Sequence, residues 1–257
     1  MKYLIVPDIH GRNFWREPVK KALEENIDII FLGDYLDAYP EEFDPGIDYH
    51  KLAFEGFEDI LKLKKENPDK ITLLLGNHCC SYLIGTNVCD CRRDRLRYQT
   101  IQTLFRQNKA NFSLIKEIKQ EDKRFIISHA GISFQWLESL NSGTFDRHNF
   151  VDFVNNEYTI MMRNKYPENT SFAYSLATCS YFRGGWNPYG SIIWADVREF
   201  IKSYDNNIGY QIFGHTRCYE PIVTKDFAML DCSKCFYLDN GQILDMDNKI
   251  VPTIDLK

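Results

Sequence analysis

Five short apolar runs punctuate this chain, and each gives way almost at once to a polar motif. Residues 2–6 lead to Asp8-Ile9-His10-Gly11. Residues 27–32 lead to Gly33-Asp34-Tyr35-Leu36-Asp37, and residues 71–75 to Gly76-Asn77-His78. Phe125-Ile126-Ile127 leads to Ser128-His129-Ala130-Gly131, and residues 210–213 to Gly214-His215-Thr216. Short continuous apolar runs of this kind read as strands buried on both faces. The motifs then fall at strand carboxyl ends, where open α/β sheets build their sites.

Helical patterns lie between the strands, over residues 18–26, 49–66, 92–108 and 145–164. The second has apolar Leu52, Phe54, Phe57, Ile60, Leu61 and Leu63 and stops before Asn67-Pro68, since the residue before a proline resists the helical conformation. The C-terminal stretch differs. Residues 228–231, 236–238 and 242–244 read as strands, the last two joined by a tight turn at Asn240-Gly241. No repeat, low-complexity tract or linker is visible. Because motifs from residue 8 to residue 216 have to converge, residues 1–257 are expected to form a single domain.

Composition narrows the class. Of 257 residues, 44% are hydrophobic and 26% charged, as in ordinary soluble proteins. The net charge of -5, from 31 basic and 36 acidic residues, gives no reason to expect general nucleic-acid or membrane-surface binding. No apolar run approaches the ~18 residues that span a bilayer, and the first run is too short for a signal-peptide core. The expected location is cytoplasmic, and the eight cysteines are expected to be free thiols. Cys232-x-x-Cys235 has metal-type spacing but sits in a predicted strand pair. Cys79 adjoins the motif residues and is expected to respond to oxidation if its thiolate is stabilised there.

The motifs gather carboxylates, an amide and imidazoles. Asp8, His10 and Asp34 offer an O, N, O set for one metal ion. Asn77, His129 and His215 offer an O, N, N set for a second, and the two carboxylate oxygens of Asp34 can bridge the ions. Such a pair makes hydroxide at neutral pH and stabilises both oxygens of a phosphoryl displacement. The donors contain no thiolate, which suits Mn²⁺ first, or Fe or Zn²⁺. His50 and His148 match no motif and read as surface or helix-face residues. The cluster Arg92, Arg93, Arg95 and Arg97 reads as a solvated helix face, with a rim that attracts anionic substrates as the functional alternative. Tyr181, Trp186, Tyr189 and Trp194 read as packing residues, with a wall for a stacked nucleobase as the functional alternative.

In order, the motifs read DxH, GDxxD, GNH, H and GH. From residue 8 to about residue 240 the chain resembles the calcineurin-like metallophosphoesterase superfamily. It is most similar to the branch of serine/threonine protein phosphatases and bacterial diadenosine tetraphosphatases. The resemblance implies an α/β fold, a four-layer α/β/β/α sandwich of two mixed sheets flanked by helices. It implies that Asp8, His10 and Asp34 bind one of two divalent metal ions. Asp34, Asn77, His129 and His215 would bind the other, with a metal-bridging hydroxide as nucleophile. His78 would be the general acid and Asp37 its orienting carboxylate. Two positions depart from the branch: Ala38 stands where it has Arg, and Cys79 where it has Glu. Arg183, Arg217 and Arg12 are therefore the candidates for gripping the substrate phosphate. The expected activity is a phosphatase acting on a phosphate monoester, protein-borne or small. The alternatives are a dinucleoside polyphosphate hydrolase and a metal-binding scaffold without catalysis. Residues 141–186, rich in aromatics, are expected to shape the substrate pocket.

Overall fold

The computed structural model describes residues 1–85, 92–140, 149–199 and 208–255. The first sheet is built from β1 (Tyr3–Val6), β2 (Asp28–Phe31), β3 (Ile71–Leu74) and β4 (Phe112–Ser113), with β10 (Phe236–Asp239) and β11 (Gln242–Leu244) returning from the C-terminal stretch. Its order is β11-β10-β1-β2-β3-β4. β1 to β4 run parallel, and β10 is antiparallel to both its neighbours. The second sheet has the order β5-β6-β7-β9-β8. It comprises β5 (Ile115–Gln120), β6 (Lys123–Ser128), β7 (Tyr210–Phe213), β8 (Ile222–Val223) and β9 (Phe227–Met229). Its β6, β7 and β9 are parallel, and its edge strands are antiparallel.

The period of two along each strand sorts side chains into layers. Ile5, Ile30, Leu32 and Leu74 from the first sheet meet Phe125, Ile127, Ile212 and Ala228 from the second in one buried cluster, so the sheets pack face to face. Leu4, Val6, Ile29, Phe31 and Leu73 point the other way, toward α1 (Arg16–Glu24) and α2 (Tyr49–Glu66). Ile126 of β6 faces the opposite outer layer, which contains α6 (Phe150–Arg163). The remaining helices are α3 (Asn77–Leu83), α4 (Tyr98–Gln107), α5 (Phe134–Leu140) and α7 (Ser171–Leu176). The result is the expected four-layer α/β/β/α sandwich of two mixed sheets.

Several boundaries have local causes. α2 spans the predicted residues and opens on Asp48, whose side chain accepts the N–H of Lys51 at 2.9 Å, satisfying a donor the helix leaves free. α1 is followed by Asn26 at φ +57°, a left-handed C-terminal stop that asparagine tolerates. Asn240 and Gly241 have φ +47° and +73°, as a two-residue hairpin turn between right-twisted strands needs.

The helix predicted over 92–108 is shorter than expected. Asp94 is buried, and its carboxylate takes the N–H groups of Leu96 and Arg97, both at 3.0 Å. That closes a turn in place of the first helical residues, the usual competition between an Asp side chain and the helix ladder. α4 therefore begins at Tyr98, and Arg92, Arg93, Arg95 and Arg97 do not form a helix face. α6 realises the helix predicted over 145–164 from Phe150 onward, and residues 145–148, with His148, lie outside the described residues. Among the described residues no helix is long and apolar enough to cross a membrane.

The aromatic cluster under α2 holds that helix to the first sheet. Phe57 is fully buried and sits 5.3 Å from the Tyr35 ring and 4.6 Å from the Phe105 ring. Phe57→Ala should cost about 3–5 kcal/mol in urea unfolding with an unchanged m-value. A loss under about 1 kcal/mol would show that the cluster does not anchor α2.

Candidate active site

Three of the five motif loops leave the ends of their strands in a conformation that most residues avoid. His10, Asp34, Asp37 and His215 have φ of +45°, +48°, +60° and +62°. Left-handed backbone at non-glycine residues costs of order 1–3 kcal/mol each and persists where the surroundings enforce it. Here the enforcement is visible. The carbonyl of Asp34 accepts both Ile9 N–H at 3.2 Å and His10 N–H at 2.7 Å, which ties the first two loops together. The Asp34 carboxylate accepts the N–H of His78 at 3.0 Å, near the start of α3. The Asp8 carboxylate accepts the N–H of His215 at 3.0 and 3.1 Å.

Two motif glycines owe their place to proximity. A Cβ on Gly76 would lie 2.1 Å from Asp34 Oδ1, and one on Gly214 would lie 2.1 Å from Asp8 Oδ1. The carboxylates rest directly on bare backbone.

The predicted residues converge. His129 Nε2 lies 3.0 Å from Asn77 Oδ1, 3.1 Å from His215 Nδ1, 3.4 Å from Asp34 Oδ2 and 4.0 Å from Asp8 Oδ2. His10 Nε2 lies 3.6 Å from Asp34 Oδ2. The outward nitrogens are fixed by backbone: His129 Nδ1 donates to Leu32 O at 3.0 Å, and His10 Nδ1 to Leu36 O at 3.0 Å and Asp37 O at 3.2 Å. Such bonds set the tautomer and present the other nitrogen to the centre. Ligand atoms of His10, Asp34 and His78, and separately of Asp34, His129 and His215, fall within 4.8 Å of one another. Asp34 is common to both groups.

The charges of this cluster are frustrated without a cation. Burial lowers His10 and His215 well below the ordinary histidine pKa, aided by His78 in the first case and Arg183 in the second. Burial raises Asp8, with Asp34 pushing the same way. Burial opposes ionisation of Asp34 too, but His129 and His78 outweigh it and hold the carboxyl well below its usual range. His129 goes the other way. Burial disfavours its charge, yet Asp34 and Asp8 raise its pKa to about 9. A proton on His129 thus stands where divalent cations would satisfy two carboxylates and three imidazoles at once, and the donor set fits such ions.

Beside this cluster, His78 Nδ1 lies 2.6 Å from Asp37 Oδ2. The other oxygen, Asp37 Oδ1, accepts the hydroxyl of Tyr82 at 2.5 Å, and that hydroxyl accepts Asp94 N–H at 2.7 Å. Tyr82 is fully buried. It escaped the sequence reading, although its i+4 spacing from His78 on α3 was a signal: such residues share a helix face.

The three candidate arginines all lie near the cluster with their charges paired. Arg12 forks onto Glu42 at 2.7 and 3.1 Å, and Arg217 bonds the same carboxylate. Arg183 pairs with Asp196 at 2.8 Å and donates to Thr216 Oγ1 at 2.6 Å. Arg92, read from sequence as part of a solvated face, lies half-buried at the loop of Asp37, to which its Nη2 donates at 3.0 Å.

Other expectations change. Trp194 is buried and edge-on to His215 at 5.9 Å, and Tyr189 is half-buried against the core. Trp186 and Tyr181, at 89% and 63% exposure, are not packing residues. Cys79 is fully buried, and burial together with Asp34 pushes its thiol well above the ordinary range, so it is not poised for oxidation. The six described cysteines are thiols outside any disulfide, and Cys89 and Cys91 lie outside the described residues. His50 is half-buried on α2, 4.5 Å from the ring of Tyr49.

The profile of the family described as calcineurin-like phosphoesterase matches residues 1–219. A cold-active protein-tyrosine phosphatase of a psychrophilic Shewanella species superposes with a TM-score of 0.55 at 13% identity, over 95% of this chain and 76% of that one. A protein serine/threonine phosphatase from Saccharomyces cerevisiae superposes with a TM-score of 0.50 at 13% identity, over 100% of this chain and 80% of that one. At such identity these likenesses concern the fold. No curated protein sequence matches the chain.

The His129 proton has a measurable consequence. With its pKa raised to about 9, this imidazole is protonated at pH 7.5 and has to lose the proton before Nε2 can take a metal ion. Loading Mn²⁺ at pH 7.5 should release about one proton, and affinity should rise with pH until about pH 9. Calorimetry in buffers of different ionisation enthalpy reads this number, and zero release would contradict the charged His129.

Proposed function

The chain belongs to the calcineurin-like phosphoesterase family, whose members are metal-dependent phosphoric ester hydrolases, and we propose that it hydrolyses phosphate monoesters with two divalent metal ions. Asp8, His10 and Asp34 would hold one ion. Asp34, Asn77, His129 and His215 would hold the other, with Mn²⁺ the best match to these oxygen and nitrogen donors and Fe or Zn²⁺ next. When bound, the ions supply positive charge to the phosphoryl oxygens and lower the pKa of water.

The observation that carries the reading is the 2.6 Å contact between His78 Nδ1 and Asp37 Oδ2 at the edge of the ligand cluster. With Nδ1 engaged, His78 Nε2 is left to deliver a proton to the leaving oxygen. Asp37 stabilises the charged imidazole and fixes its orientation, much as a carboxylate does for other catalytic histidines. Tyr82 holds the second Asp37 oxygen, so the carboxylate cannot turn away from His78. Arg183 and Arg217, and behind them Arg12, add positive field around the site. Each shares its charge with Asp196 or Glu42. Residues 1–257 would act as one catalytic unit, with part of the 141–186 region reaching the site through Arg183.

A second substrate class is favoured by one observation. Trp186 and Tyr181 stand exposed on either side of Arg183 in the sequence, a surface on which a nucleobase of a dinucleoside polyphosphate can stack.

A panel of aryl phosphate, aryl phosphodiester, phosphopeptide and diadenosine tetraphosphate, with and without Mn²⁺, separates the readings. Metal-dependent turnover should be fastest on a monoester. Faster cleavage of diadenosine tetraphosphate would replace the monoester reading by the nucleotide one. Asp34→Asn should abolish turnover. His78→Asn should lower kcat about 10²–10⁴-fold on poor leaving groups and much less on good ones. Equal losses on both would remove His78 as general acid. Tyr82→Phe should follow the same leaving-group trend, roughly 3- to 10-fold, because it loosens the Asp37 that orients the acid.

A further inference from the structure

The ring of Tyr39 collects three guanidinium groups. Arg92 Cζ lies 3.7 Å from its centroid, Arg217 Cζ 4.9 Å and Arg12 Cζ 5.2 Å. The same ring stands edge-on to His10 at 5.0 Å, so this assembly borders the ligand cluster. One carboxylate, Glu42, serves two of the three arginines. Arg92 is different. Its Nη2 donates to the carbonyl of Asp37 at 3.0 Å, and its Nε lies 3.3 Å from that oxygen and 3.4 Å from the carbonyl of Ala38. Those bonds aim the group and leave its charge uncancelled, for among the described residues it forms no ion pair. Three guanidinium groups thus crowd one ring, with Glu42 the carboxylate in direct ion-pair contact with two of them.

Position adds to charge. The carbonyl of Asp37 is shared, accepting His10 Nδ1 at 3.2 Å and Arg92 Nη2 at 3.0 Å. The guanidinium is thus one shared oxygen atom from His10 of the ligand cluster, and it rests on the backbone of the residue whose carboxylate holds His78. A planar fork anchored on one edge and stacked on an aromatic face is pre-organised, so little freedom is lost when its free edge meets an anion.

We propose that Arg92, seated on the Asp37 and Ala38 carbonyls and on the ring of Tyr39, is the guanidinium that grips the terminal, doubly charged phosphoryl group of the substrate. This rests on the reading of the cluster as a phosphoesterase centre. It deepens that reading by making the site selective for a dianionic monoester phosphate over the single charge of a diester. Arg12 and Arg217, tied to Glu42, shape the rim and hold Tyr39 in place.

The test uses inorganic phosphate as the probe, titrated calorimetrically onto the Mn²⁺-loaded protein. Arg92→Ala should weaken phosphate binding about 10- to 100-fold, as expected for loss of hydrogen bonds between charged groups. It should lower kcat/KM for an aryl phosphate by a similar factor and for an aryl phosphodiester less than about threefold. Arg92→Lys keeps the charge without the fork and should fall between, and it also serves if the alanine variant does not fold. Arg95→Ala, an exposed neighbour outside the site, is the control for long-range charge and should change nothing. Unchanged phosphate affinity in Arg92→Ala and Arg92→Lys would overturn the proposal. So would equal losses on monoester and diester, which would reduce Arg92 to a brace for the 37–38 backbone. If the wild type cleaves no ester yet Arg92→Ala still loses phosphate, the hydrolase reading fails and the anion site stands. If monoesters are cleaved and phosphate affinity is indifferent to Arg92, the reverse holds.

Discussion

Asp34 sits in a left-handed backbone conformation with its carboxylate buried among imidazoles from both sheets. Its carbonyl pins the loop that follows β1, and its Oδ1 accepts the His78 N–H near the start of α3. Its Oδ2 faces His129 from β6 at 3.4 Å and His10 from the β1 loop at 3.6 Å. A buried carboxylate left unpaired would be expensive. The three loops are therefore bound to bring their nitrogen donors to this one residue. The face-to-face packing of the sheets makes that possible, because it sets the carboxyl ends of β1, β2, β3, β6 and β7 around a common point. The fold is in this sense a frame for one carboxylate.

The same constraint explains which residues around the site are small. Gly76 and Gly214 have no side chain because carboxylate oxygens occupy the space where a Cβ would stand. Ala38 has a related reason. It is fully buried, and a Cβ on Gly11 would lie 3.1 Å from its own Cβ and 2.8 Å from that of Ala53 on α2. Three small residues let the loops after β1 and β2 close on α2, and a long side chain at position 38 has no room in that direction. Positive charge at the site has to arrive from elsewhere in the chain, and several arginines approach from outside the motifs.

The strands that carry the motifs, the motif order and the convergence of Asp8, His10, Asp34, Asn77, His129 and His215 were legible in the sequence, whereas the edge strands β4, β5 and β8 were not. Each legible feature depends on neighbours within a few residues: an apolar run, a turn, a ligand. α2 was legible for the same reason, with a cap at Asp48 and a stop before Pro68. The surroundings of Arg92 were not. It touches Asp37, 55 positions away, and its neighbours Arg93, Arg95 and Arg97 suggest a charged helix face. The Asp94 turn that frees it from α4 depends on the burial of Asp94 and on Tyr82, which a periodicity argument does not see. Tyr82 was hidden differently. Its spacing from His78 was plain, but a tyrosine four residues along a helix is usually only core. It became more than that because Asp37, on another loop, has a second oxygen to satisfy.

Burying that second oxygen against Tyr82 has a consequence for the chemistry. A carboxylate with one oxygen in water can rotate and leave its histidine, and side-chain freedom of that kind is lost only at an entropic cost. Asp37 has no such freedom, since both oxygens and its carbonyl are engaged, the carbonyl by His10 and Arg92. One residue thus links the proposed acid, a proposed metal ligand and the proposed phosphate grip, with Tyr82 holding its remaining oxygen. A shift of the Asp37 backbone would misplace all three at once. The left-handed conformation of Asp37 at φ +60° is held by these bonds, and it keeps the three proposed groups in register.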